Sequence, residues 1–164
     1  MIEKKNVDAE SIAKKVVKDE RLIDDLLEGA SSEKAVVKYK SLKVLMLVSE
    51  QQPKMLYPKW DFFVKLLDDD NTFLIVIGAT IIANLTRVDT KNKFEKIFNK
   101  YYSLLENESM INAANIAGRS EIIAKAKPHL QGKITSKLLD IDKTHHRSEC
   151  KNIIKGKVIL SFYE

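Results

Sequence analysis

Hydrophobic positions recur with a helical period along most of this chain. In residues 91–106 the apolar side chains follow the i, i+3, i+4, i+7 spacing that places them on one face of a helix. Residues 73–85 are apolar almost throughout, and alone they would fit a buried strand, a buried helix or the start of a membrane span. An acidic stretch at 68–70 and the amphipathic segment at 91–106 flank this run, which favours a helix buried among other helices.

A short signature divides the pattern into units. Two leucines followed by an acidic residue begin at Leu26, Leu66, Leu104 and Leu138, at spacings of 40, 38 and 34 residues. Each copy ends a stretch with helical periodicity, and residues that can cap a new helix follow it. Between these marks each unit is predicted to form two helices, A and B.

The predicted helices cover most of the chain. They are a leading hairpin at 8–18 and 20–28, three A and B pairs at 32–50 and 59–68, 72–88 and 91–106, 109–126 and 128–140, and a last helix at 145–164. We expect one domain, with a capping hairpin in 1–30, repeats in 31–70, 71–107 and 108–143, and a capping helix in 144–164. Pro53 and Pro58 are expected to break the chain before the first B helix. Gly78, which is unfavourable inside a helix, is expected to mark close packing against a neighbouring helix.

Residues 112–140 combine small side chains in the A helix, a turn at Lys127-Pro128 and a closing Leu-Leu-Asp. With the other units, over about residues 30–164, this resembles HEAT repeats of the armadillo-like class and is similar to short HEAT-repeat proteins of archaea and bacteria. The resemblance implies an all-α, right-handed superhelix of about eight or nine helices, whose B helices line a concave binding face. The Asp/Arg pair usual in HEAT A helices is mostly missing, because Phe73 and Leu74 follow Asn71-Thr72. Tetratricopeptide repeats are the nearest rival, but their Trp/Leu-Gly/Tyr pattern is absent.

Composition supports a helical chain and a cytoplasmic location. Five Gly and three Pro among 164 residues are too few for a turn-rich β fold. Cys150 is the only cysteine, which excludes an intramolecular disulfide. The N-terminus is polar, without the apolar segment of a signal peptide, and no window reaches the roughly 18 apolar residues of a spanning helix. We therefore expect no membrane association.

The net charge of +5 comes mainly from lysine, because only four of the 28 basic residues are Arg. Lysines of the B helices would lie along the concave face. They are Lys59 and Lys65, then Lys93, Lys96 and Lys100, then Lys133 and Lys137. This pattern predicts a basic surface that fits an acidic segment of another protein, or a merely solvated helix face. Binding to a nucleic-acid backbone is the alternative, although Lys lacks the bidentate geometry with which Arg reads phosphate and guanine.

Other candidate chemistry is weaker. His146 and Cys150 lie four apart and could share a helix face, but zinc needs three or four ligands and His129 is on another predicted helix. We expect surface histidines, a buried cysteine, and no metal or cofactor. Trp60-Asp61 resembles the aromatic and acidic pair of DNA glycosylases built on HEAT-like repeats, yet neighbouring helix residues point about 100° apart, which favours Trp60 as a core residue.

The sequence thus predicts a non-catalytic protein–protein interaction or scaffold module. It has no nucleophile pattern and no Gly-rich phosphate loop. The alternative function is a nucleic-acid-binding or DNA-repair-type protein that uses the same basic groove. A weak homodimer through the C-terminal helix is a further possibility, because an uncovered solenoid end exposes apolar surface.

Overall fold

The structure is a computed structural model that describes residues 8–163. These residues form α-helices and short 3-10 turns and contain no strand, which confirms the predicted all-α class. The chain divides between Trp60 and Asp61 into two compact units. The expectation of one domain stays a prediction. Residues 1–7 of the predicted capping region 1–30, and Glu164 of the predicted last helix, lie outside the described residues.

The first unit contains a helical hairpin packed on a longer helix. Its helices are α1 (Ala9–Lys18), α2 (Leu22–Ala30), α3 (Ala35–Gln51) and α4 (Pro53–Leu56), followed by a 3-10 turn at Tyr57–Lys59. Both α1 and α2 pack on α3, and the side chains of Val16, Leu26 and Leu45 are buried there. Asp19 ends α1, and its carboxylate accepts hydrogen bonds from the backbone and side chain of Arg21. Two helices therefore lie where the sequence predicted the leading hairpin.

Pro53 separates two helices as expected, whereas Pro58 does not. Pro53 begins α4, and Pro58 lies within the 3-10 turn that leads directly into the next helix. Proline is tolerated in the first turn of a helix, where its missing N–H would have no acceptor. The 3-10 turn creates such a position at Pro58, so the prediction of a break was wrong at this proline. Trp60 follows this turn and is buried with only 2% of its surface exposed, as predicted.

The second unit contains the remaining helices, except that Trp60, the first residue of α5, belongs to the first unit. They are α5 (Trp60–Lys65), α6 (Thr72–Leu85), α7 (Lys93–Ser103), α8 (Met110–Ala126), α9 (Gln131–Leu139) and α10 (Ser148–Tyr163). The helix α8 lies between α6 and α10 and packs on both. Short 3-10 turns follow α5, α7 and α9, at Leu66–Asp68, Leu104–Glu106 and Asp140–Lys143. Two of the leucine pairs thus start 3-10 turns, and the pair at 138–139 ends α9.

The helix α6 is the apolar run that the sequence left ambiguous. Asn71 caps it, since the Asn71 side chain accepts a hydrogen bond of 2.9 Å from the Phe73 N–H. Ile81 is fully buried. A Cβ added at Gly78 would lie 2.8 Å from the Leu66 Cβ, so the predicted close packing at this glycine is confirmed.

Aromatic side chains of α7 fix this helix against α6 and α8. The rings of Phe94 and Tyr101 lie 5.3 Å apart, edge to face. The Tyr101 hydroxyl donates to the Ala79 carbonyl, and the Tyr102 hydroxyl donates to Ser120 Oγ, each at 3.2 Å. Because these contacts join α7 to two neighbouring helices, its exposed face is held in a defined position. Within residues 8–163, none of the helices combines the length and apolar character required to cross a bilayer.

Candidate binding groove

A groove with a volume of about 400 Å³ runs between α7 and α9. The helix α7 contributes Glu95, Phe98 and Asn99. The other wall comes from α9 and its flanking turns: Leu130, Lys133, Ser136, Lys137 and Asp140. Two of the seven lysines predicted to form a binding face therefore line one groove.

The N-terminus of α7 is held by Asp89, which follows the 3-10 turn after α6. The two carboxylate oxygens of Asp89 accept hydrogen bonds of 2.9 Å from the N–H groups of Lys93 and Phe94. These N–H groups belong to the first turn of the helix and have no acceptor within it. The carboxylate also faces the positive end of the helix dipole, which stabilises its charge.

Lys127, at the end of α8, is buried among acceptors from the turn before α7 and from α7 itself. Its Nζ lies 3.0 Å from Asp89 Oδ2, 3.0 Å from Glu95 Oε1 and 3.1 Å from Asn92 Oδ1. Only 4% of the Lys127 surface is exposed. Asn92 has a φ of 50°, a left-handed conformation that Asn tolerates better than most residues. We call Lys127, Asp89, Asn92 and Glu95 the Lys127 cluster; it joins the end of α8 to the start of α7.

Glu95 belongs to both the cluster and the groove. Its partial burial would raise the pKa of its carboxyl, but the hydrogen bond and charge of Lys127 and a hydrogen bond from His129 outweigh this and lower the pKa. The His129 Nε2 lies 2.9 Å from Glu95 Oε1. Glu95 is therefore ionised near neutral pH, and it shares the buried ammonium group of Lys127 with Asp89.

The second carboxylate and the two lysines of the groove lie on α9 or in the turn after it. Asp140 Oδ1 lies 2.7 Å from the Lys143 Nζ, so the second groove carboxylate also has a cation beside it. Lys133 and Lys137 are exposed and four residues apart on α9. Neither lysine has a hydrogen-bond or ion-pair partner within residues 8–163. The groove thus presents two uncompensated ammonium groups.

The other predicted lysines have different environments. Lys59 forms an ion pair of 2.6 Å with Asp24 in the first unit, and Lys100 forms one of 2.6 Å with Asp68. Lys65 and Lys96 are exposed, without an ion pair in the part of the chain that the structure describes. Lys93 is half-buried in the first turn of α7. The lysine pattern alone did not indicate that the groove also contains Phe98, Asn99 and two carboxylates.

The histidines and Cys150 show no metal-site arrangement. His146 is buried, and its Nε2 donates a hydrogen bond of 2.9 Å to the Leu105 carbonyl. Its ring lies 4.5 Å from that of His145. Cys150 is half-buried rather than fully buried. Among the described residues, no group of three or more His, Cys, Asp or Glu side chains could hold a metal ion.

Comparison of the chain with protein-family models, with curated proteins and with solved structures gives no match. A function is therefore inferred from the groove between α7 and α9. This groove combines two carboxylates, each with a cation beside it, and two ammonium groups without an ion-pair partner within residues 8–163.

Proposed function

We propose that this chain is a non-catalytic protein-interaction module of the HEAT-like type, and that it binds an acidic segment of another protein in the α7–α9 groove. One observation carries the proposal: Lys133 and Lys137 have no counter-charge among residues 8–163, while Glu95 and Asp140 in the same groove have cations beside them. The right-handed superhelix is part of this proposal. The packing of α8 between α6 and α10, and the recurring leucine pairs, support it.

The lysine spacing favours an anionic partner. Like charges at positions i and i+4 destabilise a helix by roughly 0.2–0.5 kcal/mol, and a carboxylate placed between Lys133 and Lys137 would remove this repulsion. The apolar side chains of the groove offer little surface for contact, since Phe98 is 8% exposed and Leu130 is 5% exposed. Binding would therefore depend mainly on charge and decrease with salt.

The groove also has the rigidity that a binding site for an extended segment requires. The Lys127 cluster fixes the start of α7, and the hydroxyl of Tyr102 fixes its end against α8. A preformed surface loses little conformational entropy on binding, so more of the interaction energy contributes to affinity. The two lysines lie on α9, whose inward residues Ile134 and Leu138 are buried.

The same geometry supports a non-catalytic role for the groove. A general acid needs a carboxyl with a raised pKa, whereas the surroundings of Glu95 lower its pKa. Its two oxygens are occupied by Lys127 and His129. Glu95 therefore acts in holding α7 and α8 together.

A peptide-binding measurement tests the proposal. Fluorescence anisotropy of a labelled, glutamate-rich peptide is measured at low salt with the wild-type chain and with a Lys133→Gln/Lys137→Gln double variant. Two surface ion pairs of up to about 1 kcal/mol each predict a loss of affinity of roughly tenfold. The matched control is Lys14→Gln/Lys18→Gln, which removes two exposed lysines at the same spacing from α1.

Equal losses in the two double variants would show that only net charge attracts the peptide, and the proposal would be wrong. Binding of duplex DNA that is tighter than peptide binding and is abolished by Lys133→Gln/Lys137→Gln would favour the nucleic-acid alternative. A strong dependence on salt is then expected, because phosphate contacts release counterions.

A further inference from the structure

A second groove lies among α6, α8 and α10. Its volume is also about 400 Å³. Two cationic side chains line it, Arg119 from α8 and Lys157 from α10. Two aliphatic side chains, Ile111 and Leu160, line it as well and are unusually exposed for their type, at 58% and 60%. The groove therefore combines positive charge with apolar surface.

Arg119 is half-buried, yet it forms no hydrogen bond or ion pair with any described residue. A guanidinium has five N–H donors, and partial burial without acceptors is unfavourable. The charge of Arg119 acts on the nearby phenol of Tyr101. Burial nevertheless raises the pKa of Tyr101 well above its ordinary value, so Tyr101 is neutral and gives Arg119 no counter-charge. By contrast, Arg21 forms an ion pair with Asp19 at 2.9 Å. A carboxylate from another molecule would satisfy Arg119.

Asn115 also lines the groove, and one of its side-chain atoms is an unpaired acceptor. The Asn115 side chain donates through Nδ2 to Thr80 Oγ1 at 3.4 Å. Its Oδ1 is buried and has no hydrogen-bond partner in the described part of the chain. A buried amide oxygen without a donor costs about 1–3 kcal/mol. A ligand that brings an N–H group next to its anionic group would satisfy both Asn115 and Arg119.

Gly118 lies between these polar side chains on α8. A Cβ built at Gly118 would meet the Lys157 Cδ at 3.8 Å, an ordinary contact, so no close packing within the chain requires glycine here. Glycine inside a helix costs about 1 kcal/mol relative to alanine. Its effect is to leave room at the base of the groove, between the aliphatic walls.

We propose that this groove binds the C-terminal residue of a partner protein. The terminal carboxylate binds Arg119 and Lys157, the amide N–H of the same residue donates to Asn115 Oδ1, and an aliphatic side chain packs against Ile111 and Leu160. A peptide C-terminus carries all three groups on one carbon atom. A phosphate lacks the aliphatic group, and a fatty acid lacks the N–H donor. Capture of a C-terminal carboxylate is an established mode of peptide recognition.

The test is a titration of the isotope-labelled chain, monitored by amide correlation spectra. The probes are acetyl-Ala-Ala-Leu with a free carboxylate and the same peptide with a C-terminal amide. The free acid is expected to shift amide signals of α8 and α10 and to bind at least about tenfold more tightly than the amide, since charge-assisted hydrogen bonds contribute about 1.5–3 kcal/mol. Arg119→Gln is expected to lose a similar factor. Arg147→Gln, at an exposed arginine outside the groove, is the matched control.

Lys157→Gln provides a second variant at an exposed position, where folding is not affected. It should weaken binding of the free acid, whereas Lys133→Gln/Lys137→Gln should leave it unchanged, which separates this site from the α7–α9 groove. Equal binding of acid and amide would overturn the proposal. Octanoate that binds as tightly as the peptide acid would replace it with a simple aliphatic-acid site. Shifts confined to α7 and α9 would also overturn it.

Discussion

Replacing Lys127 with methionine tests the Lys127 cluster most directly. Lys127→Met keeps an unbranched, flexible side chain but removes the ammonium group that contacts Asp89 and Glu95. The Asp89 side chain is fully buried. After the substitution its carboxylate keeps the hydrogen bonds from the N–H groups of Lys93 and Phe94 but loses the ammonium charge beside it. The variant therefore leaves a buried negative charge that is only partly compensated.

The expected loss of stability follows from this environment. Removing one partner of a buried ion pair typically costs about 3–5 kcal/mol. The two backbone hydrogen bonds to Asp89 remain, so we expect a value near the lower limit, about 3 kcal/mol. For a chain of this size, each kcal/mol lowers the melting temperature by roughly 2–4 °C, which predicts a decrease of about 6–12 °C. The effect is large compared with a total stability of about 5–15 kcal/mol.

Urea denaturation followed by far-UV circular dichroism measures this change. Lys125→Met is the matched control, since Lys125 lies on the same helix and pairs with Glu121 at 2.8 Å, but its side chain is 57% exposed. An exposed pair contributes at most about 1 kcal/mol. Adding Asp89→Asn to Lys127→Met should cost much less than the sum of the single changes, because both act on one interaction.

Two outcomes would refute the reasoning. If Lys127→Met is no less stable than Lys125→Met, the buried ion pair contributes nothing beyond an exposed one. If the energies of Lys127→Met and Asp89→Asn simply add, the two side chains are not coupled, and the contacts at 3.0 Å have no energetic significance.

Two further predictions concern a glycine and a carboxylate. In urea denaturation, Gly78→Ala should destabilise the chain by roughly 1–3 kcal/mol, because the new methyl group would overlap Leu66. The control Gly156→Ala places its methyl group where nothing lies within 4 Å, so it should stabilise the chain by up to about 1 kcal/mol. Equal effects of the two substitutions would contradict the close packing assigned to Gly78. Glu95 has a lowered pKa in the folded state. Its contribution to the free energy of unfolding is therefore complete above its unfolded pKa of about 4.3, and it is lost as the pH falls through the lower folded pKa. Urea midpoints at several pH values should therefore show that the stability advantage of wild type over Glu95→Gln shrinks toward acid pH. A difference that stays constant with pH would exclude a stabilising ion pair between Glu95 and Lys127.

Much of the local structure could be predicted because it depends on residues close together in the chain. The helical period identified α7, and the apolar run identified α6, whose core residue Ile81 is fully buried. Gly78 was recognised as a contact point because a buried helix tolerates glycine when a neighbour approaches closely. Pro58 was misread, since the sequence does not show that a 3-10 turn gives this proline an N-terminal position.

The ion pairs could not be predicted, because they join residues far apart in the chain. Lys127 and Asp89 are 38 positions apart, and Lys100 and Asp68 are 32 apart. In the sequence Lys127 resembles every other lysine; only the approach of α8 to the turn before α7 makes it buried. Lys133 and Lys137, which have no partner among the described residues, can be recognised only once the paired lysines are identified.

The turn at 89–92 has a consequence for protein engineering. A surface loop between helices usually accepts an inserted tag or domain, since few contacts depend on its length. Here Asp89 must reach both the first turn of α7 and Lys127, and Asn92 must adopt a left-handed conformation. Added residues would separate these groups, so fusions and epitope tags belong elsewhere. The turn between α2 and α3 is a better location, because Glu33 and Lys34 are exposed there.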